Sequence, residues 1–399
     1  MKRRDLLHRA LLLPALPMGF LGTGCTSMGP ARPDGPTAGR RLLLVRLTGG
    51  NDGLSTLVPF RDDSYFRARP TVALETSSLL PVEGGDAALH PALRQFRELM
   101  DDGHAGLVPR VGYPRSSRSH LRATEIWATG MTTRPVPAVG WLGRYADGSR
   151  TADGIVGVSF GDDSAQALES STDRTERIAH PGALLELART PPSTGTPDAL
   201  PQLAFLGGVE ARLRSLGGDF ERATAGSGSR HKYPDTAFGA SLRWTADLIE
   251  TGSKCSIFHA SLGSFEGGMS FDTHLDQRRT HDALYAELDA ALAAFARQLI
   301  AARRWEDTLV MTYSDFGRQV AENKTGGTDH GDAGLTFLAG GRVLAGVHGG
   351  PPDLTETSAG GLAPTVDFRS IYGSVLRDWL GGAPTSRPDK PFPDHPVTV

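Results

Sequence analysis

Two cysteines, Cys25 and Cys255, are all that the 399 residues contain. That excludes a disulfide framework. If Cys25 leaves with a processed leader, a single thiol remains. Cys255 stands beside Lys254 and just before Ile257-Phe258, and it reads as a buried structural thiol because nothing nearby would activate it. The chain has no Cys-x-x-Cys pair and no Gly-x-Gly-x-x-Gly fingerprint. The usual signs of redox and dinucleotide chemistry are therefore missing. Charge of one sign is not in excess: the net charge is −3, so there is no electrostatic footprint for nucleic acid. No internal repeat appears.

What is present is ordinary globular material, 39% hydrophobic and 22% charged, enough for a large core. Gly 49 and Pro 27 point to many ordered loops, as in an α/β enzyme with long connections.

The start of the chain reads as an export signal over 1–25. Met1-Lys-Arg-Arg-Asp-Leu-Leu7 is basic, and the apolar stretch from Ala10 to Leu21 is broken by Pro14 and Pro17. It is too short and too interrupted for a stable membrane span, and none is expected in the mature chain. Arg3-Arg4 followed by Asp-Leu-Leu resembles a twin-arginine signal, which names the twin-arginine export machinery as a partner. Cys25 after small residues resembles a lipoprotein processing site, yet Gly22 stands where a large aliphatic residue is expected. A free periplasmic or exported product is favoured over a lipid anchor at Cys25. Residues 26–39 read as a flexible tether, and 40–399 as one domain.

Within that domain, Arg41-Leu-Leu-Leu-Val-Arg-Leu47 reads as a buried strand. Ala105 to Gly112 is a second strand candidate, weakened by Pro109. Leu89 to Met100 has helical spacing, with His90 expected at its N-terminus. A helix is expected from Ser119, as N-cap, to Thr129, closed by Gly130. Residues 198–250 read as a helical insertion. Cys255 to Leu262, Thr308 to Thr312 and Leu335 to Ala339 read as strands, with a helix from Asp282 to Ile300 between the first two. This strand–helix–strand order implies a doubly wound, mostly parallel sheet flanked by helices, with its sites gathered on one edge.

Candidate site residues fall on that edge. Asn51 and Asp52 lie past the first strand in Thr48-Gly-Gly-Asn-Asp-Gly53, as a cation ligand or as a plain turn. Arg118 sits in an arginine cluster at a helix start, suited to an anion. Ser119 is either a cap or a nucleophile. Asp272 and His274 lie two apart, a spacing that points both to one side of an extended segment. Asp315 follows a strand end. Asp329 and His330 sit in a glycine-rich loop, Gly326 to Gly331, where the two residue types suit metal ligation or proton transfer.

Gly49-Gly-Asn-Asp-Gly53, Arg118-Ser-His120, Phe271-Asp-Thr-His274, Ser314-Asp-Phe-Gly-Arg318 and Gly327-Thr-Asp-His-Gly331 together resemble the bacterial "domain of unknown function 1501" family. That family is placed in the alkaline phosphatase and sulfatase superfamily. The resemblance implies an alkaline phosphatase-like α/β fold and a metal-dependent site. Carried over, it makes Asp52, Asp272, His274, Asp315 and His330 metal ligands; Asp329, beside His330, is counted with them, and Arg118, Ser119 and His120 are the catalytic candidates. The superfamily spaces its mid-chain Asp and His four apart and follows the strand-end Asp with His; here the spacing is two and Phe316 follows Asp315. Trp127-Ala-Thr-Gly130 resembles the end of the nucleophile helix, and an ungapped count from it reaches His120. The expected function is hydrolysis of a phosphate or sulfate ester with zinc, manganese or calcium. The alternative is a non-catalytic periplasmic or cell-envelope binding protein on the same fold.

Overall fold

A computed structural model describes residues 39–149, 154–161, 165–191, 201–226, 231–266, 268–350, 352–382 and 395–398. The expected leader lies outside them, as does all of the expected tether except residue 39. The described residues all belong to one compact unit, Thr37–Val399.

Its centre is a nine-stranded sheet. In chain order the strands are β1 (Arg41–Leu47), β2 (Ala105–Gly112), β3 (Gly157–Phe160), β4 (Thr175–Ile178), β5 (Ile257–Leu262), β6 (Thr308–Ser314), β7 (Gly334–Gly340), β8 (Gly346–Val347) and β9 (Val366–Asp367). Across the sheet they run β8-β2-β7-β6-β1-β5-β3-β4, with β9 also paired to β2. β1 lies parallel to both β5 and β6.

The apolar run of β1 is explained by burial on both faces. Leu43, Val45 and Leu47 enter one core, and Leu42 and Leu44 enter another. The first core is closed by helices α1 (Arg94–Asp101), α5 (Ala237–Glu250) and α6 (Gln277–Ala301). The second is closed by α2 (His120–Thr129) and α7 (Phe368–Ser374). This is a doubly wound, mostly parallel α/β architecture. Over 198–250 the described structure has α4 (Pro201–Gly226) and α5, and α3 (Gly182–Arg189) packs beside α4.

Several local expectations shift. β7 is antiparallel to both β6 and β2, because residues 315–333 form no crossover helix and stay on one sheet edge, so the chain must return downward. Pro109 is tolerated inside β2 because the register shifts beside its partner, between Gly334 and Leu335. Helix α1 starts only at Arg94; His90 lies in the preceding turn, where its Nδ1 accepts from the Ala92 amide at 3.1 Å. Helix α6 begins at Gln277, which puts His281 in its second turn, fully buried. Ser119 holds the N-cap position of α2 by backbone conformation, but its side chain makes no cap hydrogen bond. Gly130 closes α2 as expected, with φ +71° and its amide donating to the Ile126 carbonyl at 2.8 Å.

Candidate metal centre

The C-terminal ends of β1, β2, β5 and β6 lie on one edge, and the chain reverses its winding direction around β1. In open α/β sheets a ligand site forms at that place. Four loops meet there, and two glycines allow the approach. A Cβ on Gly49 would stand 2.4 Å from the Asp272 amide, and one on Gly50 would stand 2.7 Å from the Phe316 ring. Both have positive φ, +107° and +88°, which costs glycine little.

Asp272 is the hub. Its Oδ1 lies 3.1 Å from His330 Nε2 and 3.2 Å from His274 Nε2, and its Oδ2 lies 3.3 Å from His120 Nε2. His274 Nε2 and His330 Nε2 are 2.9 Å apart. Ligand atoms of His120, Asp272 and His330 all lie within 4.8 Å of one another. Asp272 and His274 therefore do reach one place, as their spacing suggests, and His330 joins them.

The far nitrogen of each ring is held by an acceptor. His120 Nδ1 meets Asp315 Oδ2 at 2.8 Å, His274 Nδ1 meets Asp329 Oδ1 at 2.9 Å, and His330 Nδ1 donates to the Arg118 carbonyl at 2.8 Å. Each Nδ1 is thus turned outward to an acceptor and each Nε2 inward toward Asp272. This is the usual arrangement behind metal-binding imidazoles.

Two observations show that the residues fit a metal. The buried Nε2 of His120 has no hydrogen-bond partner, since Asp272 stands out of line with it. In addition, His274 Nε2 and His330 Nε2 lie 2.9 Å apart, so at most one of them can carry a proton toward the other. The spacings of 2.9–3.3 Å are close to the ligand–ligand separation of about 3.3 Å expected for metal–nitrogen bonds of about 2.0–2.1 Å, and the set that closes on one point is His120, Asp272 and His330, with His274 beside it. Burial opposes charge on His120, but Asp272 and Asp315 outweigh it and push its pKa up to about 9. The two carboxylates thus favour a cation at that ring. Burial also opposes ionisation of Asp272, yet His120, His330 and Arg318 hold its carboxyl far below the usual range.

Around the cluster, Phe316 is buried and packs on His120 and His330, with ring centroids 4.7 and 4.4 Å away. The residue that stands where the superfamily has a histidine is thus an apolar floor. Phe265 closes on His120 from another side at 5.0 Å. The Arg318 side chain is fully buried and ties the loops together. It donates to the carbonyls of Gly49, Gly50, Phe271 and Thr328, and to Asp272 Oδ1 at 2.7 Å.

The structure does not bring the other expected residues into the ligand set. Asp52 lies in a buried ion pair with Arg69, at 2.5 and 3.1 Å, and also accepts from Ser55, Gln277 and the Leu54 amide. Its oxygens are saturated. Burial raises its pKa, but Arg69 overrides this and holds it down at about 2. Asp315 stands behind His120 and is paired with Arg46 at 3.0 Å. Asp329 touches the far nitrogen of His274. The Arg118 guanidinium is spent on Asp332 and on the carbonyls of Ser358 and Ala359; only its backbone carbonyl serves the site. Ser119 is exposed. His120 is the member of Arg118-Ser-His120 that enters the cluster.

Arg46, Arg69 and Phe265 are residues that sequence reasoning missed. A signal for Arg46 exists: it is a charge inside a buried strand, which requires a partner.

The fold and site thus define an α/β protein with a cluster of His120, Asp272 and His330, flanked by His274, at the switch point of its sheet. Residues 219–365, which carry Asp272, His274, Asp315, Asp329 and His330 and three of the five motifs, match the family described as "Protein of unknown function (DUF1501)". No curated protein matches the chain. Among solved structures it is similar to the lipoteichoic acid synthase LtaP from Listeria monocytogenes (13% identity over 86% of this chain and 72% of that one, TM-score 0.39). It is also similar to the zinc complex of the C-terminal periplasmic domain of EcEptC from Escherichia coli (12%, 76% and 73%, TM-score 0.36). A third is the phosphonate monoester hydrolase of Agrobacterium radiobacter (14%, 75% and 67%, TM-score 0.35).

Proposed function

We propose that this protein is a one-metal hydrolase of anionic esters, phosphate or sulfate, with His120, Asp272, His274 and His330 as the metal-holding residues. The observation that carries this is the convergence of three Nε2 atoms on Asp272, each ring oriented from behind by its own acceptor. Three nitrogens and one oxygen suit zinc, or manganese in second place. Calcium, which takes oxygen ligands, suits this donor set poorly. A second metal at Asp52 and Asp315 does not fit, because each already neutralises an arginine.

A bound divalent ion would supply Lewis-acid polarisation of an ester oxygen and offset its negative charge. The protein's own part is positioning. Asp315, anchored by Arg46, holds the His120 Nδ1 proton, so Nε2 faces the cluster. Asp329 and the Arg118 carbonyl do the same for His274 and His330. Arg318 balances Asp272 and fixes the loops that carry the ligands. Phe265 and Phe316 keep water from the His120 ring faces, which strengthens charge interactions there.

The test is metal content of the purified protein by mass spectrometry, followed by a screen of aryl phosphates and aryl sulfates. About one equivalent of zinc or manganese is expected, lost in the His274→Ala/His330→Ala variant. Absence of metal in protein refolded or expressed with either ion would overturn the reading. One observation favours binding without turnover: Ser119, the expected nucleophile, is exposed, and its side chain makes no hydrogen bond to His120, Asp272, His274 or His330 among the described residues. Metal bound with no ester cleaved would select that second reading. Export by the twin-arginine route, supported by Arg3-Arg4-Asp-Leu-Leu, is part of the same proposal.

A further inference from the structure

We infer that the ester taken by this site carries an apolar group, aryl or short alkyl, and that the cavity beside the loop following β5 holds it. This rests on the reading of the cluster as an anionic-ester site.

The first observation is where apolar surface is left open. Large hydrophobic side chains are almost all buried among the described residues, and the exposed ones are few. Four of these lie on the chain segments that carry the ligands. Leu121 follows His120 and is 78% exposed, and Leu275 follows His274 and is 65% exposed. Phe265 and Met269 are each half exposed and lie on the loop that leads to Asp272. Phe265 packs on His120 and Met269 lines the adjoining cavity, so these two put exposed apolar surface beside the cluster.

The second observation is a cavity of about 310 Å³ at the C-terminal ends of β3 and β5. Phe160, Phe238, Leu284 and Met269 give it an apolar lining, with Ser241, Ser261 and Ser264 as polar points. The Ser261 hydroxyl is buried with no hydrogen-bond partner among the described residues. Glu287 is the one charged residue of the lining, and it disfavours a second anionic group there. One loop joins cavity and cluster. Ser264, Gly268 and Met269 line the cavity, and Phe265 of the same loop packs on His120. The combination of an anion-accepting metal cluster and a neighbouring apolar cavity with few polar points is the usual composition of a small-molecule site.

The test uses phenylphosphonate and methylphosphonate, which share an anionic head and resist hydrolysis. Their binding to the metal-loaded full chain is measured by calorimetry, in the wild type and in the Met269→Ala variant, with metal content measured in parallel. Phenylphosphonate is expected to bind about tenfold or more tightly than methylphosphonate, from the added apolar burial. In the variant that ratio should fall to about threefold or less at unchanged metal content. Equal affinities in the wild type, or a ratio that survives in the variant, overturn the inference while leaving the anionic-ester reading intact. Binding of neither phosphonate to metal-loaded protein overturns both.

Discussion

Asp315 Oδ2 lies 2.8 Å from His120 Nδ1, and the same carboxylate holds Arg46 through Oδ1 at 3.0 Å. Asp315 and Arg46 are buried. A strand-end aspartate is thus not a ligand of the cluster but the group that aims one. Asp315→Ala is expected to weaken metal binding by about 10–100-fold through loss of orientation. It should also cost about 3–5 kcal/mol of stability, because Arg46 is left buried without its counter-charge. Metal titration and urea unfolding read the two effects separately. Unchanged metal affinity in a folded variant would remove the positioning role.

The Asp52–Arg69 pair predicts a different pattern. Arg69→Met should destabilise the chain by about 3–5 kcal/mol and leave the metal content of the folded fraction unchanged. Asp52 is depressed from 3.8 to about 2. Its contribution is therefore complete above pH 3.8 and is lost as pH falls through about 2. The wild type should show this acid-side loss and Asp52→Asn should not. A parallel loss of metal in Arg69→Met would reconnect Asp52 to the cluster.

His259 sits in the middle of β5, fully buried, with its ring nitrogens near Ser159 and Tyr313. Burial first, and then Arg46, lower its pKa from 6.5 to about 3. A histidine kept neutral in the fold stabilises fully above the unfolded pKa of 6.5, and that stabilisation drains away as pH falls toward 3. His90 and His281 are lowered in the same direction, to about 4 and about 3. Urea unfolding at pH 7.5, 6 and 5 should show falling stability, with a shallower slope in His259→Asn. An equal slope in the variant would show that His259 does not titrate on unfolding.

Gly49→Ala should disable the centre without touching a ligand. Its Cβ would meet the Asp272 amide at 2.4 Å at a φ of +107°. The Asp272 loop must then move, and backbone strain of about 1–3 kcal/mol is added. Metal affinity should drop at least about tenfold, while circular dichroism stays that of the wild type. Retained affinity would show that the loop absorbs the side chain.

Much of this protein was legible in its residues alone. The apolar run of β1 announced a strand buried on both faces. Asp272 and His274 at a spacing of two, and His330 between glycines, announced a cluster, because residue type, period and chain flexibility are local properties. What those properties left open was which carboxylates would meet a metal and which an arginine. Asp52 meets Arg69, 17 residues on, and Asp315 meets Arg46, 269 residues back. The second pairing exists because β1 and β6 align Arg46 with Tyr313 and Leu47 with Ser314, which brings the arginine beside the next residue of the neighbouring strand. His120 in turn faces the cluster because α2 starts where β2, β5 and β6 all end. Charge neutralisation between distant strands depends on sheet register, and register is a property of the packed sheet that no single strand encodes.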